Sequence, residues 1–209
     1  MRLPSPLVTA PATPEALPLA FRRAVDALEA LSPRPEITLR DMRPPQRLAP
    51  WSSAWTAEVV PAGPAPAAVD DGEDADVLVT GRLVLLHDPE GQEAWDGTLR
   101  LVTFVRAELD PEHANDPLLA EVAWSWLTGA LEESEAAFTA LGGTVTQTSS
   151  VRFGDISGPG HVTDLELRAS WTPREEEPTA HGEAFLAVLA TAAGLPPAGV
   201  ATLNARRPR

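Results

Sequence analysis

Apolar residues recur at helical spacing in three stretches of the chain. The first opens near Pro18, which the first turn of a helix tolerates, and Ser32-Pro33 closes it, since the residue before proline avoids the α region. The second begins at Asp116-Pro117, an N-cap followed by a first-turn proline, and Gly142 is its expected stop. A third stretch is terminated by residues 194–197. The apolar faces consist of Phe21, Val25, Leu28 and Leu31, then Leu119, Val122, Ala123, Trp126, Leu127, Ala130 and Leu131, and last Phe185, Leu186 and Leu189.

Alternating or continuous apolar runs between these stretches predict β-strands. They cover residues 37–40, 55–60, 76–87, 98–109, 144–153 and 162–171. Turn-forming residues join the third run to the fourth, which predicts a long hairpin. Because hairpins need no crossover helix, we expect an α+β fold with an antiparallel sheet of five to six strands and helices packed on it. The predicted element order is α-βββ-α-ββ-α, with room for one extra short strand.

Composition divides the chain into one domain and two tails. The 209 residues are enough for a single core, which we place at 18–197. The proline-rich start (1–17) is predicted to be disordered, and 198–209 to form a tail. Within the domain, residues 61–76 change from Ala/Pro/Gly to Asp/Glu, which is typical of a mobile loop.

Cysteine usage and charge restrict the setting of the protein. The sequence has no cysteine, which excludes disulfides, thiolate catalysis and Cys-ligated metals. It also contains no run that predicts a membrane span, so we expect a cytoplasmic protein. A formal net charge of −14 disfavours nucleic acid and anionic membranes as partners, because both need cationic surface.

Catalytic motifs are missing from the sequence. It has no G-x-S-x-G, P-loop, dinucleotide fingerprint or H-E-x-x-H, so we expect no cofactor or metal and lean away from an enzyme. One candidate ligand site combines His87, as acid or base, with Arg100 and Arg106 on one strand face, where they could bind an anion. Arginines that pair with neighbouring acids give the same pattern. His161 follows a Gly-Pro-Gly turn, but the sequence selects no partner for it.

Tryptophan is unusually frequent, with six residues against five phenylalanines. Trp124 and Trp126 lie about 200° apart on the second helix, so one of them is expected to point away from the core. Trp95 lies on the predicted hairpin loop. Exposed tryptophan is a typical interface anchor, which makes these three the candidate partner-binding residues; a small apolar cluster under the loops is the alternative interpretation.

Five segments resemble the domain of unknown function 3000 family (DUF3000). They are PPQRLAPW (44–51), GRLVLLHDPEGQEAWDGTLRLVTFVRAEL (81–109), DPLLAEVAWSWLTGALE (116–132), ALGGTVTQTSS (140–150) and ELRASWTP (166–173). The resemblance implies a cytosolic protein of high-GC Gram-positive bacteria and brings no established activity. The predicted element order is also similar to that of secretion-chaperone-like proteins, which are typically homodimeric binding modules, although fold does not fix function.

Two hypotheses follow from the sequence. The first is a non-enzymatic, protein-binding or chaperone-like module that binds a protein partner or a second copy of itself through a sheet face or a helix groove. The alternative is a small-molecule-binding protein or enzyme with a site between the sheet and the main helix.

Overall fold

The computed structural model describes residues 17–60, 77–109, 116–156 and 162–197. The helices are α1 (Leu19–Glu29), α2 (Leu119–Glu133) and α3 (Thr179–Ala192). The strands are β1 (Ile37–Met42), β2 (Trp51–Val59), β3 (Val79–Gln92), β4 (Gly97–Leu109), β5 (Phe138–Ser150) and β6 (Val162–Pro173). The start of the chain up to residue 16, the linker 61–76, the tail from residue 198 and His161 lie outside the described residues, so what the sequence predicts for them stays a prediction.

One antiparallel sheet organises the molecule, with the strand order β1-β2-β3-β4-β6-β5. The α+β prediction is confirmed, and the extra strand exists, because four strands precede α2. Strand β6 does not extend the sheet after β5; it pairs with β4 on one side and with β5 on the other. Strands β1 and β5 are therefore the two edges of the sheet.

All three helices pack on the same face of the sheet. The partners Ala57, Gly81, Val105 and Leu167 form one row across this face. A Cβ atom at Gly81 would lie 2.9 Å from the Phe185 ring, so glycine is what lets α3 approach β3 this closely. The residues that fill the space between helices and sheet are apolar and almost fully buried, among them Leu28, Leu83, Leu101, Leu127, Leu131, Leu167, Trp171 and Phe185.

The other face of the sheet, which we call the open face, carries mostly polar and charged side chains, together with the apolar Val84, Leu86, Val102 and Phe104. Its central row includes Arg82, Phe104 and Arg168, which are direct cross-strand partners. The guanidinium carbons of Arg82 and Arg168 lie 5.9 and 5.2 Å from the centroid of the Phe104 ring. Alternation of this kind is typical of a sheet covered by helices on one side, but β3 is apolar on nearly both faces, as its continuous apolar run predicts.

Helix α2 ends at Glu133, so the predicted stop at Gly142 is wrong. Glu135 takes a left-handed φ of 53°. The N–H groups of Glu135 and Ala136 donate to the carbonyls of Glu132 and Leu131, which is the Schellman motif. Because a glutamate occupies the position that glycine usually takes, the sequence gives no stop signal here, and β5 begins at Phe138 rather than at residue 144.

The long β3–β4 hairpin is confirmed, but its connection is shorter than predicted. Strand β3 continues to Gln92, with a register shift after His87. A short 3₁₀ turn, Glu93–Trp95, then leads through Asp96, which has a φ of 55°, into β4. Trp95 is consequently part of a compact turn.

Candidate functional site

Strand β5 is a long edge strand whose register with β6 shifts once, between Thr139 and Gly142, and is regular from there to Ser150. Over its 13 residues, FTALGGTVTQTSS, it has neither a charged side chain nor a proline. Among the described residues it pairs with no strand other than β6. Every second residue of an antiparallel edge strand turns its N–H and C=O outward, and natural proteins usually guard such an edge with charges or proline. Within the part of the chain that the structure describes, no strand pairs with the outer edge of β5.

Helix α2 forms a groove beside this edge. The ring of Trp124 packs over Gly143, where a Cβ atom would lie 2.8 Å from it. Trp124 is only partly buried, and it borders a groove of about 360 Å³ together with Ala120, Glu121, Gly143 and Val145. We call this surface, made of residues 142–150 of β5 and of Ala120, Glu121 and Trp124 of α2, the α2–β5 flank.

The second tryptophan of α2 lies in a different environment. Trp126 is also partly buried and packs against a small cluster of Leu119, Ala123 and Leu165. The most exposed apolar residues of the α2 region are Leu118 and Val122, at 56% and 43% of full exposure. Trp124 lines the groove beside β5, whereas Trp126 packs against the cluster of Leu119, Ala123 and Leu165.

Trp95 does not offer a surface to a partner. Its side chain is only 9% exposed, and its carbonyl oxygen accepts a hydrogen bond of 2.6 Å from the Thr172 hydroxyl. The turn that holds Trp95 contacts β4 and β5 and is bound by the Thr172 hydroxyl of β6. We therefore leave Trp95 out of the candidate surface.

His87, Arg100 and Arg106 do not form one site. His87 is buried on the helix-covered face, where its ring stacks on Phe21 with centroids 6.0 Å apart. Because a carbonyl only accepts, the Nδ1–H of His87 donates to the Thr98 oxygen, at 3.0 Å. The two arginines belong to the open face, so the predicted anion site with histidine as acid or base is not assembled.

Both arginines already have structural partners. Arg106 forms a two-bond pair with Asp164, at 2.8 and 3.2 Å, and this carboxylate raises the pKa of Arg106. Arg100 donates to the Ser170 hydroxyl at 2.7 Å and to the Ala140 carbonyl at 2.9 Å. Arg106 thus pairs with an acid, as the alternative interpretation expected, whereas the partners of Arg100 are hydroxyl groups and a backbone carbonyl.

A buried histidine that the sequence did not single out joins α3 to β6. The indole Nε1 of Trp171 can only donate, so Nδ1 of His181, 3.0 Å away, is the acceptor and carries no proton. The proton is then on Nε2, which donates to Glu175 at 3.1 Å. Neither the six-residue spacing nor the residue types mark such a network in the sequence.

Burial sets the protonation of this network. Desolvation lowers the pKa of His181 and outweighs the opposing effect of Glu175. Burial would raise the pKa of Glu175, but hydrogen bonds from His181 and from the backbone of Ala137 hold it below its usual value. Glu175 borders a cleft of about 340 Å³, whereas His181 is fully buried and cannot reach a ligand there. The network thus has a structural role, because it joins α3 to the C-terminal end of β6.

The described parts of the chain contain neither a candidate metal site nor a helix suited to span a membrane. No group of three or more histidine or carboxylate side chains there has an arrangement suited to a metal ion. None of the described helices combines the length and the apolar character needed to cross a membrane.

Comparison with known protein families identifies the family of the chain. The family model described as "Protein of unknown function (DUF3000)" matches residues 17–201, which confirms the resemblance that the sequence segments indicated. No curated protein and no solved structure matches the chain.

Proposed function

Because the chain belongs to the DUF3000 family, whose description names no activity, its function has to be argued from its own surfaces, and we propose that it is a non-enzymatic protein-binding module. The α2–β5 flank is where it would engage its partner. The observation that carries the proposal is the long, uncharged edge of β5 beside the groove at Trp124.

An added strand would satisfy the outward backbone groups of β5. Its main-chain hydrogen bonds give affinity with little dependence on sequence, and pockets beside the strand give specificity. Residues 142–150 pair with β6 in unbroken register, so this part of the edge is regular enough to template a partner strand.

The groove beside Trp124 supplies an anchor for a side chain of the partner. Partly buried tryptophans beside a pocket are frequent interface hot spots, because a ring that is already held loses little conformational freedom on binding. The ring of Trp124 is held by its packing on Gly143. We expect an apolar side chain of the partner to cover it.

The amino-acid composition is consistent with a partner inside the cell. A sequence without cysteine suits a reducing compartment, and we place the module in the cytoplasm. The order of helices and strands is similar to that of secretion-chaperone-like proteins, which agrees with a binding role by analogy only.

Affinity capture with matched variants tests this proposal. Thr146 on β5 and Thr38 on β1 lie in the same row of the open face, at opposite edges of the sheet. Four tagged proteins would be purified from the native cytosol, and their partners would be quantified by mass spectrometry. They are the wild type, Thr146→Lys, Trp124→Ala and the control Thr38→Lys. We expect Thr146→Lys and Trp124→Ala to lose a stoichiometric partner that Thr38→Lys retains. A partner that all four proteins bind equally would contradict the proposal.

A further inference from the structure

We propose that the partner at the α2–β5 flank is a second copy of this chain, joined through antiparallel β5–β5 pairing about a twofold axis. This inference rests on the proposed function and makes it more specific. It follows from the charge, the side chains and the length of the β5 edge.

Charge is the first argument for self-pairing. With a formal net charge of −14, two copies of the chain repel each other across most of their surfaces. In a twofold antiparallel pair, β5 meets its own sequence, so any charge on the strand would face or neighbour a like charge. The strand carries none in 13 residues. Glu121, at the rim of the groove, is the one acid of the α2–β5 flank.

The side chains of β5 suit pairing with themselves. Thr144, Thr146 and Thr148 alternate along the open face. Pairs of β-branched residues and of threonines across two strands are more favourable than pairs of alanines. The same strand placed against itself thus makes compatible neighbours at every position of this row.

Length and geometry support a continuous sheet. At about 3.3 Å per residue, the regular part of β5 provides roughly 30 Å of edge. A twofold axis perpendicular to the sheet keeps the helices of both copies on the same side. The two grooves beside Trp124 then open toward the same seam, where each copy can cover the ring of the other.

The opposite edge does not have these properties. Strand β1 has only six residues, and two of them, Arg40 and Asp41, are charged. Pro44-Pro45 follows shortly after it. These are features that block strand addition, so β5 is the edge through which two copies can join.

A single-cysteine scan tests the geometry directly. Since the chain has no cysteine, each variant carries one thiol. Cysteine would replace Thr144, Val145, Thr146, Thr148 or Ser149 in turn, with Thr38→Cys as the matched control on β1. A disulfide needs Cβ atoms about 3.5–4.5 Å apart, which β5 residues reach only near the axis. We expect mild oxidation to give a covalent dimer at one or two neighbouring positions of β5 and none with Thr38→Cys.

Sedimentation equilibrium of the purified protein provides the second measurement. We expect the wild type and Thr38→Lys to have the mass of two chains. Thr146→Lys should have the mass of one chain, with an unchanged circular dichroism spectrum, because two lysines would meet at the seam. If Thr146→Lys does not fold, the cysteine scan still decides the question.

Three results would overturn the inference. They are a monomeric wild type at micromolar concentrations, equal cross-linking all along β5, and equal cross-linking of Thr38→Cys. In those cases the proposed function survives if affinity capture gives a different protein that depends on Thr146 and Trp124. It fails as well if no captured protein depends on them.

Discussion

The two edge strands of the sheet differ in how well they are protected against pairing with another strand. Strand β1 is short and carries Arg40 and Asp41, and Arg40 lies 3.7 Å from Glu58 of the neighbouring strand. Strand β5 is twice as long, uncharged, and accompanied by a groove. Because every backbone group at an edge is a potential hydrogen-bonding partner, a protected edge indicates a boundary and an unprotected one indicates an interface. The contrast within one sheet is what singles out β5.

The largest expected effect comes from breaking the packing at the β5 edge. In Gly143→Val the new side chain would overlap the Arg168 carbonyl and the Trp124 ring, so α2 and β5 must move apart. Overpacking of this kind costs about 1–3 kcal/mol of unfolding free energy, and we expect the upper end. Urea denaturation measures it. The control is Gly142→Ala, whose Cβ meets nothing within 4 Å and should cost less than about 0.5 kcal/mol. Equal losses for both variants would refute the packing argument.

An intermediate effect is expected from pH, which acts on the whole domain and not on one edge. Since burial lowers the pKa of His181 below its ordinary 6.5, the unfolded state binds more protons as the pH falls below that value. The contribution of His181 to the free energy of unfolding is therefore fully present above pH 6.5. As the pH falls from 6.5 toward the lowered pKa of folded His181, this contribution declines by at most about 1.4 kcal/mol per pH unit. The lowered pKa of Glu175 adds a further loss below about pH 4.5.

Denaturation of the wild type between pH 7.5 and 5 measures the histidine contribution. His181→Gln keeps an acceptor for Trp171 and a donor for Glu175 but does not titrate, so its curve should be flatter in this range. A wild-type stability that stays constant from pH 7 to 5 would show that His181 does not carry the dependence. Because these curves show at which pH the domain itself loses stability, they also distinguish a loss of assembly caused by unfolding from one caused by a change at the β5 edge.

The smallest effect on stability is expected from removing the protection of β1. Arg40 and Glu58 are 66% and 42% exposed, so their ion pair contributes little. The double variant Arg40→Thr, Asp41→Thr should change the unfolding free energy by less than about 0.5 kcal/mol. It would nevertheless leave the sheet with two uncharged edges. We expect light scattering to show that this variant forms larger assemblies than the wild type. An unchanged size would mean that the charges on β1 are not what prevents another strand from pairing with it.

Much of this fold could be predicted from the sequence, because its pattern is local. The period-two alternation located β4, and the helical spacing located α1. Gly194, with a φ of 64°, ends α3 in the position expected of a glycine. The end of α2 was missed since Glu135 takes the same left-handed conformation without the residue type that signals it.

The candidate site depended on information that is not local. Spacing along β4 correctly placed Arg100 and Arg106 on one face. The pairing of His87 with Leu99, which puts the histidine on the opposite face, depends on register. Trp124 and Trp126 were identified, but their different surroundings follow from where α2 crosses β5 and β6. That β5 is an edge could not be read from the sequence either, because a β5–β6 hairpin can join a sheet through either strand.

The position of β6 has a consequence for how the chain is made. Strand β6 is the last of the described strands in the sequence but lies inside the sheet, between β4 and β5. During synthesis, at about 5–20 residues per second, β5 therefore leaves the ribosome before the neighbour it needs exists. Until β6 emerges, β4 has β3 as its only strand partner and the uncharged β5 has no native strand partner among the described strands. The nascent chain thus passes through an interval in which it is most prone to the wrong strand pairing, and only its final strand ends that exposure.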